Sequence, residues 1–290
     1  MARKEYYSAK EVAAICNVSI KSLHYYEEIK FIVPEIQIGE SKSRYYSKKQ
    51  METVYMVRHL KLLGFSLKET KKILSEDRID FLEKSMEKKL HGLWDEIKSL
   101  NRQYKEMEGC LHRLKNGHAV LEKQRNPENL PLPLEDEIVL EEVPEISLYY
   151  SRQVMEAYRN EEVSLERWVK MSDEVQKNGI ETQGPIIVTY YTEPLGQFMG
   201  HDCDIEFGIQ AVGENENQIR TFGGFQAASI FHIGPYSEIV KSHMKILQWI
   251  NQNHYKVAGP ISEKFIISPI DIKNEKEHVI KILVPVVLNH

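Results

Sequence analysis

A single carboxylate stands out among apolar residues in the last part of the sequence. Glu263 lies in the segment ISEKFII at residues 261–267, whose alternation predicts a β-strand with Glu263, Phe265 and Ile267 on one face. Burying a carboxylate on an apolar face is energetically costly unless a cation pairs with it. We therefore expect Glu263 to bind a small lipophilic cation, which would supply both the charge and the apolar contacts.

Aromatic side chains are candidates for the walls of such a site, because the face of an aromatic ring attracts a positive charge. The candidates besides Phe265 are Tyr149, Trp168, Tyr190, Phe207 and Phe225, and Glu206 is a second candidate carboxylate. Ordinary core packing is the competing interpretation for each aromatic residue, most of all for Phe225.

The cysteine and histidine pattern gives little support to metal or enzyme chemistry. Cys16, Cys110 and Cys203 are odd in number and far apart, which argues against a disulfide framework and favours a reducing cytoplasm. No C-x-x-C motif is present, and His201 with Cys203 lacks further ligands, so we expect no metal and no cofactor. The sequence has no supported Ser–His–acid arrangement and no Gly-rich phosphate loop, so we expect no enzymatic activity.

Length and charge limit the class of protein. The 290 residues suffice for two modest domains and a connector. No apolar run approaches the roughly 18–20 residues of a membrane span, and residues 1–7 show no secretory signal, so we expect a cytoplasmic protein without membrane contact. The net charge of -5 is uneven: residues 1–75 carry +6, residues 76–133 carry 0 and residues 134–290 carry -11. A basic head on an acidic body is typical of a DNA-binding module joined to another domain.

Four short helices, each preceded by a serine that can cap it, are predicted within residues 1–75. A turn-like segment at residues 35–43, with Gly39 at its centre and aromatic residues after it, predicts a hairpin between the second and third helices. This order predicts an all-α winged helix-turn-helix head, although a helix-turn-helix pattern alone is a weak signal. The capping serines are Ser8, Ser19, Ser47 and Ser66.

A heptad pattern dominates residues 76–120. Its apolar positions are spaced alternately by three and four residues, and an isolated helix with one apolar stripe must bury that stripe against a partner. The pattern predicts a long dimerisation helix, and the proline-containing residues 121–133 predict a linker. The apolar positions are Leu82, Met86, Leu90, Leu93, Ile97, Leu100, Tyr104, Met107, Leu111 and Leu114.

An internal repeat at an offset of about 75 residues divides the region 134–290. The Gly-Pro-Ile triplet at residues 184–186 recurs at residues 259–261. Each half has the pattern strand, helix, Gly-Pro turn, strand, strand, and predicts a two-fold α+β domain. A cleft on the pseudo-axis of such a domain is a natural ligand site.

Several ordered motifs resemble known families. The head resembles the MerR family of transcription regulators through YYSAKEV at 6–12, NVSIKSLHYYE at 17–27, SRYYS at 43–47 and LKLLGFSLKE at 60–69. The C-terminal half resembles the GyrI-like effector-binding domain through FHIGPY at 231–236 and ISEKF at 261–265. Together the resemblances imply a multi-domain protein with a winged helix-turn-helix head, a long dimerisation helix and a two-fold α+β GyrI-like domain.

The resemblance implies a ligand-responsive transcription activator. In this family a homodimer, joined through antiparallel long helices, binds a palindromic promoter whose spacer between the polymerase hexamers is too long. Ligand binding leads the protein to untwist and bend the double-stranded DNA, which realigns the hexamers for RNA polymerase. The resemblance to GyrI-like proteins also implies that Glu263 lies at the floor of the ligand pocket.

The same resemblance implies a set of DNA contacts. Residues at the start of the second helix are expected to reach base edges and phosphates in the major groove, and the wing is expected to contact the backbone or minor groove. Multidrug-sensing members of the family usually have Arg where this chain has His24, which implies a shift in affinity or preferred operator. For Tyr26, core packing is an equally good interpretation. The expected contacts are Ser19, Lys21, Ser22, His24, Tyr25 and Tyr26, then Arg44, Tyr45 and Tyr46 in the wing, and Lys61.

One alternative stays open at this point. The C-terminal domain could instead bind a neutral ligand or have weak hydrolase activity, since some GyrI-like domains resemble hydrolases.

Overall fold

The chain forms two compact units, residues Met1–Ser99 and Leu100–His290. The computed structural model describes residues 5–38, 43–126, 137–156, 158, 165–193, 195–212 and 218–289. Gly39 of the predicted hairpin turn and residues 127–133 of the predicted linker lie outside these described residues.

The head consists of helices and a small antiparallel sheet with the strand order β1-β3-β2. The four predicted helices are present, and strand β1 was not predicted. The elements are β1 (Tyr6–Ser8), α1 (Ala9–Cys16), α2 (Ile20–Glu28), β2 (Ile36–Ile38), β3 (Ser43–Ser47), α3 (Lys48–Leu62) and α4 (Leu67–Glu76).

Serine caps begin the helices of the head as their sequence positions predict. The Ser8 hydroxyl accepts a hydrogen bond from the backbone N–H of Glu11, whose carboxylate accepts one from the N–H of Ser8. Ser66 and Glu69 repeat this capping box at α4. Each cap satisfies backbone donors that a helix start would otherwise leave unpaired.

Helix α5 (Ile79–Arg125) carries the heptad pattern and is 47 residues long. It continues five residues into the segment predicted as a linker, because Val120 and Leu121 are buried against the C-terminal sheet. The first heptad positions, Leu82 and Met86, pack on the head. The middle of the stripe is exposed within the single chain; its exposed residues are Leu90, Leu93, Ile97, Leu100, Tyr104, Met107 and Leu111.

The C-terminal domain contains a nine-stranded antiparallel sheet in the order β4-β9-β12-β11-β6-β7-β5-β8, and β10 pairs with β12. Each half contains a helix followed by strands of the sheet, as predicted. The predicted Gly-Pro turn is present in the second half, where residues 259–260 lie between two strands, but Gly184 and Pro185 of the first half lie inside the strand Glu181–Tyr190, at a shift in its register. The elements are β4 (Val139–Val143), β5 (Ile146–Met155), α6 (Leu165–Lys177), β6 (Glu181–Tyr190), β7 (Cys203–Val212), β8 (Ile219–Phe222), β9 (Phe225–Ile233), α7 (Ile239–Gln252), β10 (Tyr255–Val257), β11 (Ile261–Ile267) and β12 (Val279–Leu288).

The two faces of this sheet are covered by different helices. Apolar residues of α6 and α7 pack against one face, called here the α6/α7 face. The last turns of α5 pack against the other, called here the α5 face, where Val120 and Leu121 contact Phe231, Ile267 and Val279. The sheet is therefore buried by helices on both sides, and its strands can direct alternate residues to two different environments.

Strand β11 does not keep the predicted alternation to its end. Glu263 and Phe265 share the α6/α7 face as predicted, but Ile267 packs with α5 on the opposite face. The reason is a register shift between Phe265 and Ile267 in the pairing with β12, which is a β-bulge. The prediction that Ile267 shares the face of Glu263 is therefore wrong.

Candidate ligand-binding site and DNA-binding surface

Glu263 is the centre of a buried polar cluster on the α6/α7 face. Its side chain is 0% exposed. One carboxylate oxygen lies 2.8 Å from Nε2 of His243, and the other accepts hydrogen bonds from the hydroxyls of Tyr236 at 2.8 Å and Tyr190 at 3.3 Å. His243 is itself 0% exposed, so this contact is buried as well. The carboxylate is thus surrounded by two phenols and an imidazole.

The tyrosines beside Glu263 are held in their protonated form. Burial, and then the charge of Glu263, raise the pKa of Tyr190 and of Tyr236 well above the ordinary value of 10.0. The same two causes raise the pKa of Tyr158 to about 12. All three hydroxyls therefore remain protonated at neutral pH, and those of Tyr190 and Tyr236 donate to the carboxylate of Glu263.

Aromatic rings line one side of the cluster. The ring of Trp168 meets Phe265 edge-on with 4.9 Å between centroids, and Tyr236 lies 5.7 Å from the same ring. The ring of Phe198 lies edge-on to the imidazole of His243, with 5.3 Å between the ring centroids. A carboxylate beside several aromatic rings is a suitable environment for a lipophilic cation.

The structure brings together some of the predicted ligand-site residues and separates others. Trp168, Tyr190 and Phe265 lie in one core cluster with Phe207, on the same face as Glu263. Tyr149 is on that face too, but packs with Ile180 and Ala211 near the end of α6. Its hydroxyl donates to Gln218 rather than to Glu263.

Glu206 and Phe225 lie on the α5 face, so they do not line the same site as Glu263, contrary to the prediction. Glu206 pairs with Thr189 of β6, whereas Glu263 pairs with the preceding residue, Val188. Since consecutive residues of a strand point to opposite faces, Glu206 and Glu263 lie on opposite faces of the sheet. Both oxygens of the Glu206 carboxylate accept hydrogen bonds from Nε of Arg220, at 3.0 Å each. Phe225 packs edge-on against Phe222 in a separate apolar cluster.

Three residues of the cluster were missed by the sequence analysis: Tyr158, Tyr236 and His243. A signal was present for two of them. Tyr236 ends the FHIGPY motif at 231–236, and His243 follows the helical spacing of the buried residues Ile239, Ile246 and Ile250. The spacing places His243 on the face of α7 that packs on the sheet.

The predicted DNA contacts fall into exposed and buried groups. Lys21, His24 and Tyr25 are exposed on α2, and Ser19 caps this helix by accepting a hydrogen bond from the N–H of Ser22 at 2.9 Å. Lys61 is exposed near the end of α3. In the wing, Tyr45 is half-buried. Burial in the core of the head removes Tyr26 and Tyr46 from the expected contact set, since Tyr46 is 0% exposed.

Glu27 of α2 connects this helix to strand β3 of the wing, and the sequence analysis also missed it. Arg44 of β3 forms an ion pair with Glu27 at 2.9 Å and lies 3.1 Å from Nε2 of His24, and the hydroxyl of Tyr46 donates to Glu27. Burial raises the pKa of Glu27, while the charges of Arg44 and His24 oppose that rise. The carboxylate of Glu27 thus positions the half-buried Arg44 beside the exposed His24.

Comparison with known families identifies both units. Residues 7–77 match the MerR HTH family regulatory protein, and residues 136–287 match the GyrI-like small molecule binding domain. The second match covers more than half of the chain, which therefore belongs to the family of GyrI-like small molecule binding domains and carries a MerR-type head. The expected family and fold class are confirmed.

Individual relatives resemble limited parts of the chain. The multidrug-efflux transporter 1 regulator of Bacillus subtilis (strain 168) is 37% identical over 70 residues, which is 24% of this chain and 25% of that protein. The multidrug-efflux transporter 2 regulator of the same organism is 32% identical over 104 residues, 36% of this chain and 35% of that protein. The matched part of the chain thus spans only about a quarter to a third of the length of these curated relatives.

A solved structure of an EcmrR–DNA complex in EcmrR-RPo aligns with 97% of this chain and 99% of its own chain, at 21% identity and a TM-score of 0.44. Within the described residues, no helix is long and apolar enough to cross a membrane. The same residues contain no group of three or more His, Cys, Asp or Glu side chains that could hold a metal ion.

Proposed function

We propose that this protein is a ligand-responsive transcription activator of the MerR type. A homodimer binds a palindromic promoter in double-stranded DNA, acts together with RNA polymerase, and distorts the DNA when the GyrI-like domain binds a small lipophilic cation. The combination of a MerR-type head with a small molecule binding domain supports this proposal. The protein acts in the cytoplasm at the nucleoid and is a regulator rather than an enzyme.

The DNA-binding side of the proposal is supported by the chemistry of α2 and the wing. Lys21, His24 and Tyr25 are exposed on one short helix, and Arg44 lies next to His24. Cationic and hydroxyl side chains on a helix and an adjacent hairpin are the groups that position a protein on phosphates and read base edges.

The exposed stripe of α5 supports homodimer formation. Apolar side chains from Leu90 to Leu111 recur at heptad spacing and are exposed within one chain; Leu93 is 42% exposed and Met107 is 74% exposed. A second copy of α5 would bury this stripe in an antiparallel coiled coil. The dimer would bring two heads to the two halves of a palindrome.

One observation carries the ligand side: the carboxylate of Glu263 is fully buried among aromatic residues. Removing a carboxylate from water is expensive, and two phenol donors with one imidazole compensate only part of that cost. A lipophilic cation adds the missing charge and gains contacts with the rings. Because Glu263 has no exposed surface, a ligand must displace side chains of the cluster to reach it.

Calorimetry on the full-length protein tests the ligand. The probes are an aryl trimethylammonium cation and its neutral tert-butyl isostere. Glu263→Gln should weaken cation binding by about 1–3 kcal/mol and leave the neutral isostere nearly unaffected. Glu206→Gln is the matched control, because it removes a second buried carboxylate, on the opposite face of the sheet.

Three results would contradict the proposed ligand site. If Glu263→Gln weakens binding of both probes equally, a neutral ligand is favoured. If only Glu206→Gln weakens cation binding, the site lies on the α5 face. If Glu263→Gln leaves cation binding unchanged, Glu263 does not pair with the cation. Hydrolysis of an aryl ester that disappears in Glu263→Gln would instead favour the hydrolase alternative.

Selection from a random DNA library tests the regulator itself. The purified protein should enrich palindromic sites, and the cation should raise transcription by bacterial RNA polymerase from a promoter carrying such a site. Enrichment of sites without two-fold symmetry, or a cation that changes nothing, would contradict the proposed activation.

A further inference from the structure

The α5 face of the sheet carries a groove beside the turn between β8 and β9, called here the open groove. Its volume is about 910 Å³, within the size range of small-molecule sites. Thr189 and Ser262 lie in its lining, and both point away from the face of Glu263. The open groove therefore lies on the side of the sheet opposite Glu263. Its apolar lining comes from Phe222, Phe225, Pro260, Pro285, Val287 and Leu288.

The internal repeat produces a groove of this kind twice. Gly259-Pro260 in the lining of the open groove corresponds to Gly184-Pro185 in the first half of the domain. Val287 corresponds in the same way to Val212. The first-half residues line a cavity whose other wall is helix α5. The described lining of the open groove contains no helical residue, so a surface that α5 covers in one half of the domain is uncovered in the other.

Charge distinguishes the open groove from the groove under α5. The charged residues in the described lining of the open groove are Arg220 and Lys256, and none of its described lining residues is acidic. The groove under α5 differs, because Glu106, Glu108 and Glu181 belong to its lining. A cleft lined by one sign of charge attracts ligands of the opposite sign. The open groove is therefore suited to an anion with an apolar body.

Arg220 is held in position by a buried acid and keeps part of its hydrogen-bonding capacity. Its Nε donates to both oxygens of Glu206 at 3.0 Å, Nη2 also donates to this carboxylate, and Nη1 donates to the backbone oxygen of Thr221 at 2.9 Å. Glu206 is 1% exposed, whereas Arg220 is 27% exposed. A guanidinium has five N–H groups, so one on each terminal nitrogen is left without an acceptor among the described residues. Because Glu206 neutralises the guanidinium, Lys256 supplies the net positive charge of the groove.

We propose that the open groove binds a lipophilic carboxylate. The carboxylate accepts hydrogen bonds from the N–H groups of Arg220 that Glu206 leaves unused, since guanidinium and carboxylate match in geometry. The ammonium of Lys256, on its long flexible stem, adds the opposite charge. The apolar body of the ligand packs on Phe222 and Phe225. This site is separate from the proposed cation site at Glu263, so the sheet carries one site for each sign of charge, on opposite faces.

Calorimetry on the full-length protein tests the open groove with 2-naphthoate and its neutral isostere, 2-naphthamide. The wild type should bind naphthoate, and should bind naphthamide about tenfold more weakly. Lys256→Gln should weaken naphthoate binding roughly two- to fivefold, because an exposed charge pair is lost, and should leave naphthamide binding unchanged. Ala258→Trp fills the groove without changing its charge, so it should weaken the binding of both probes.

A double variant, Arg220→Gln with Glu206→Gln, tests the guanidinium. Arg220→Gln alone would leave a buried carboxylate unpaired and destabilise the domain, whereas two amides can bond to each other. The double variant should weaken naphthoate binding on the order of 10- to 100-fold. An unaltered far-ultraviolet circular dichroism spectrum shows that it is folded. A folded double variant that binds naphthoate as tightly as the wild type would refute the carboxylate site.

Lys264→Gln is the matched control, because Lys264 is a cationic residue in the lining of the groove under α5. It should leave the binding of both probes unchanged. If Lys264→Gln weakens naphthoate binding and Lys256→Gln does not, the anion binds under α5 and the proposal is wrong. A wild type that binds neither probe, or binds both equally, also refutes it.

Glu263→Gln separates this proposal from the proposed function. It should leave naphthoate binding unchanged even where it weakens binding of the aryl trimethylammonium cation. Loss of naphthoate affinity in Glu263→Gln would place the probe on the α6/α7 face and refute the open groove as its site. Failure of the cation site alone would leave the naphthoate results as they are.

Discussion

Gly117 lies where the long helix packs tightly against strand β11 of the C-terminal sheet, and replacing it tests that packing. A Cβ atom at this position would stand 2.4 Å from Cγ1 and 2.6 Å from Cδ1 of Ile267, and 3.2 Å from Cγ2 of Ile266. Distances this short require either the helix or the bulged end of β11 to move. We therefore expect Gly117→Ala to destabilise the C-terminal domain.

The magnitude follows from two opposing effects. Alanine is favoured over glycine in a helix interior by about 1 kcal/mol. Forcing an extra carbon into a packed interface costs about 1–3 kcal/mol. Because Ile267 is itself buried and cannot rotate away freely, we expect the packing cost to prevail, with a net loss of up to about 2 kcal/mol.

Two other glycines of the same helix provide the control. Added Cβ atoms at Gly92 and Gly109 would meet nothing within 4 Å. Gly109→Ala should therefore stabilise the helix by about 1 kcal/mol. Urea unfolding followed by fluorescence, in a Trp94→Phe background that leaves Trp168 and Trp249 as the fluorophores, reports on the C-terminal domain. If Gly117→Ala raises the urea midpoint as much as Gly109→Ala does, the close contact with Ile267 is not rigid and the reasoning fails.

Three further predictions concern the dimer, the DNA contact and pH. Leu93→Asp together with Ile97→Asp should give monomers in sedimentation and abolish specific DNA binding; a double variant that still sediments as a dimer would mean that another surface joins the subunits. Arg44→Ala should weaken binding to all DNA sequences alike and flatten the salt dependence by roughly one unit, whereas an effect at one base-pair position would mean that Arg44 reads sequence. Burial lowers the pKa of His232 below its ordinary value of 6.5, so the unfolded chain binds this proton more tightly. The stability due to neutral His232 is therefore complete above pH 6.5 and is lost as the pH falls through the lowered value. His232→Gln should show a shallower loss of stability over this range in denaturant titrations, and identical pH profiles would contradict the assignment.

Features set by neighbouring residues were predictable from the sequence. The capping serines, the helices of the head and the face shared by Glu263 and Phe265 depend on spacings of two to four residues. These local periods are visible in a single sequence. The end of α5 was placed too early because the apolar contact of Val120 and Leu121 is made by strands far along the chain.

Features set by pairing between distant segments were not predictable. The bulge that turns Ile267 to the other face exists only in relation to the register with β12. Tyr46 is buried in the core of the head, and its hydroxyl donates to Glu27, which is 19 residues away. Glu206 lies on the face opposite Glu263 because of the register between β6 and β7. Arg220, which forms the hydrogen bonds with Glu206, belongs to β8. The sequence contains these residues but does not show which distant residues they contact in the fold.

The bulge in β11 places Glu263 and Ile267, which regular alternation would put on one face, on opposite faces of the sheet. Glu263 points to the α6/α7 face, and four residues later, about 13 Å along the strand, Ile267 packs against α5. At that end Arg113 of α5 donates hydrogen bonds to the backbone oxygen of Ile266 and to Asp271, at 2.7 Å each. Burial alone would raise the pKa of Asp271, but the hydrogen bonds from Arg113 and Ser268 lower it, so this ion pair is charged and well bonded. A shift of β11 at Glu263 must therefore move the last turns of α5 or break a buried ion pair. Because breaking such a pair costs about 3–5 kcal/mol, the pair opposes any separation of this end of β11 from α5.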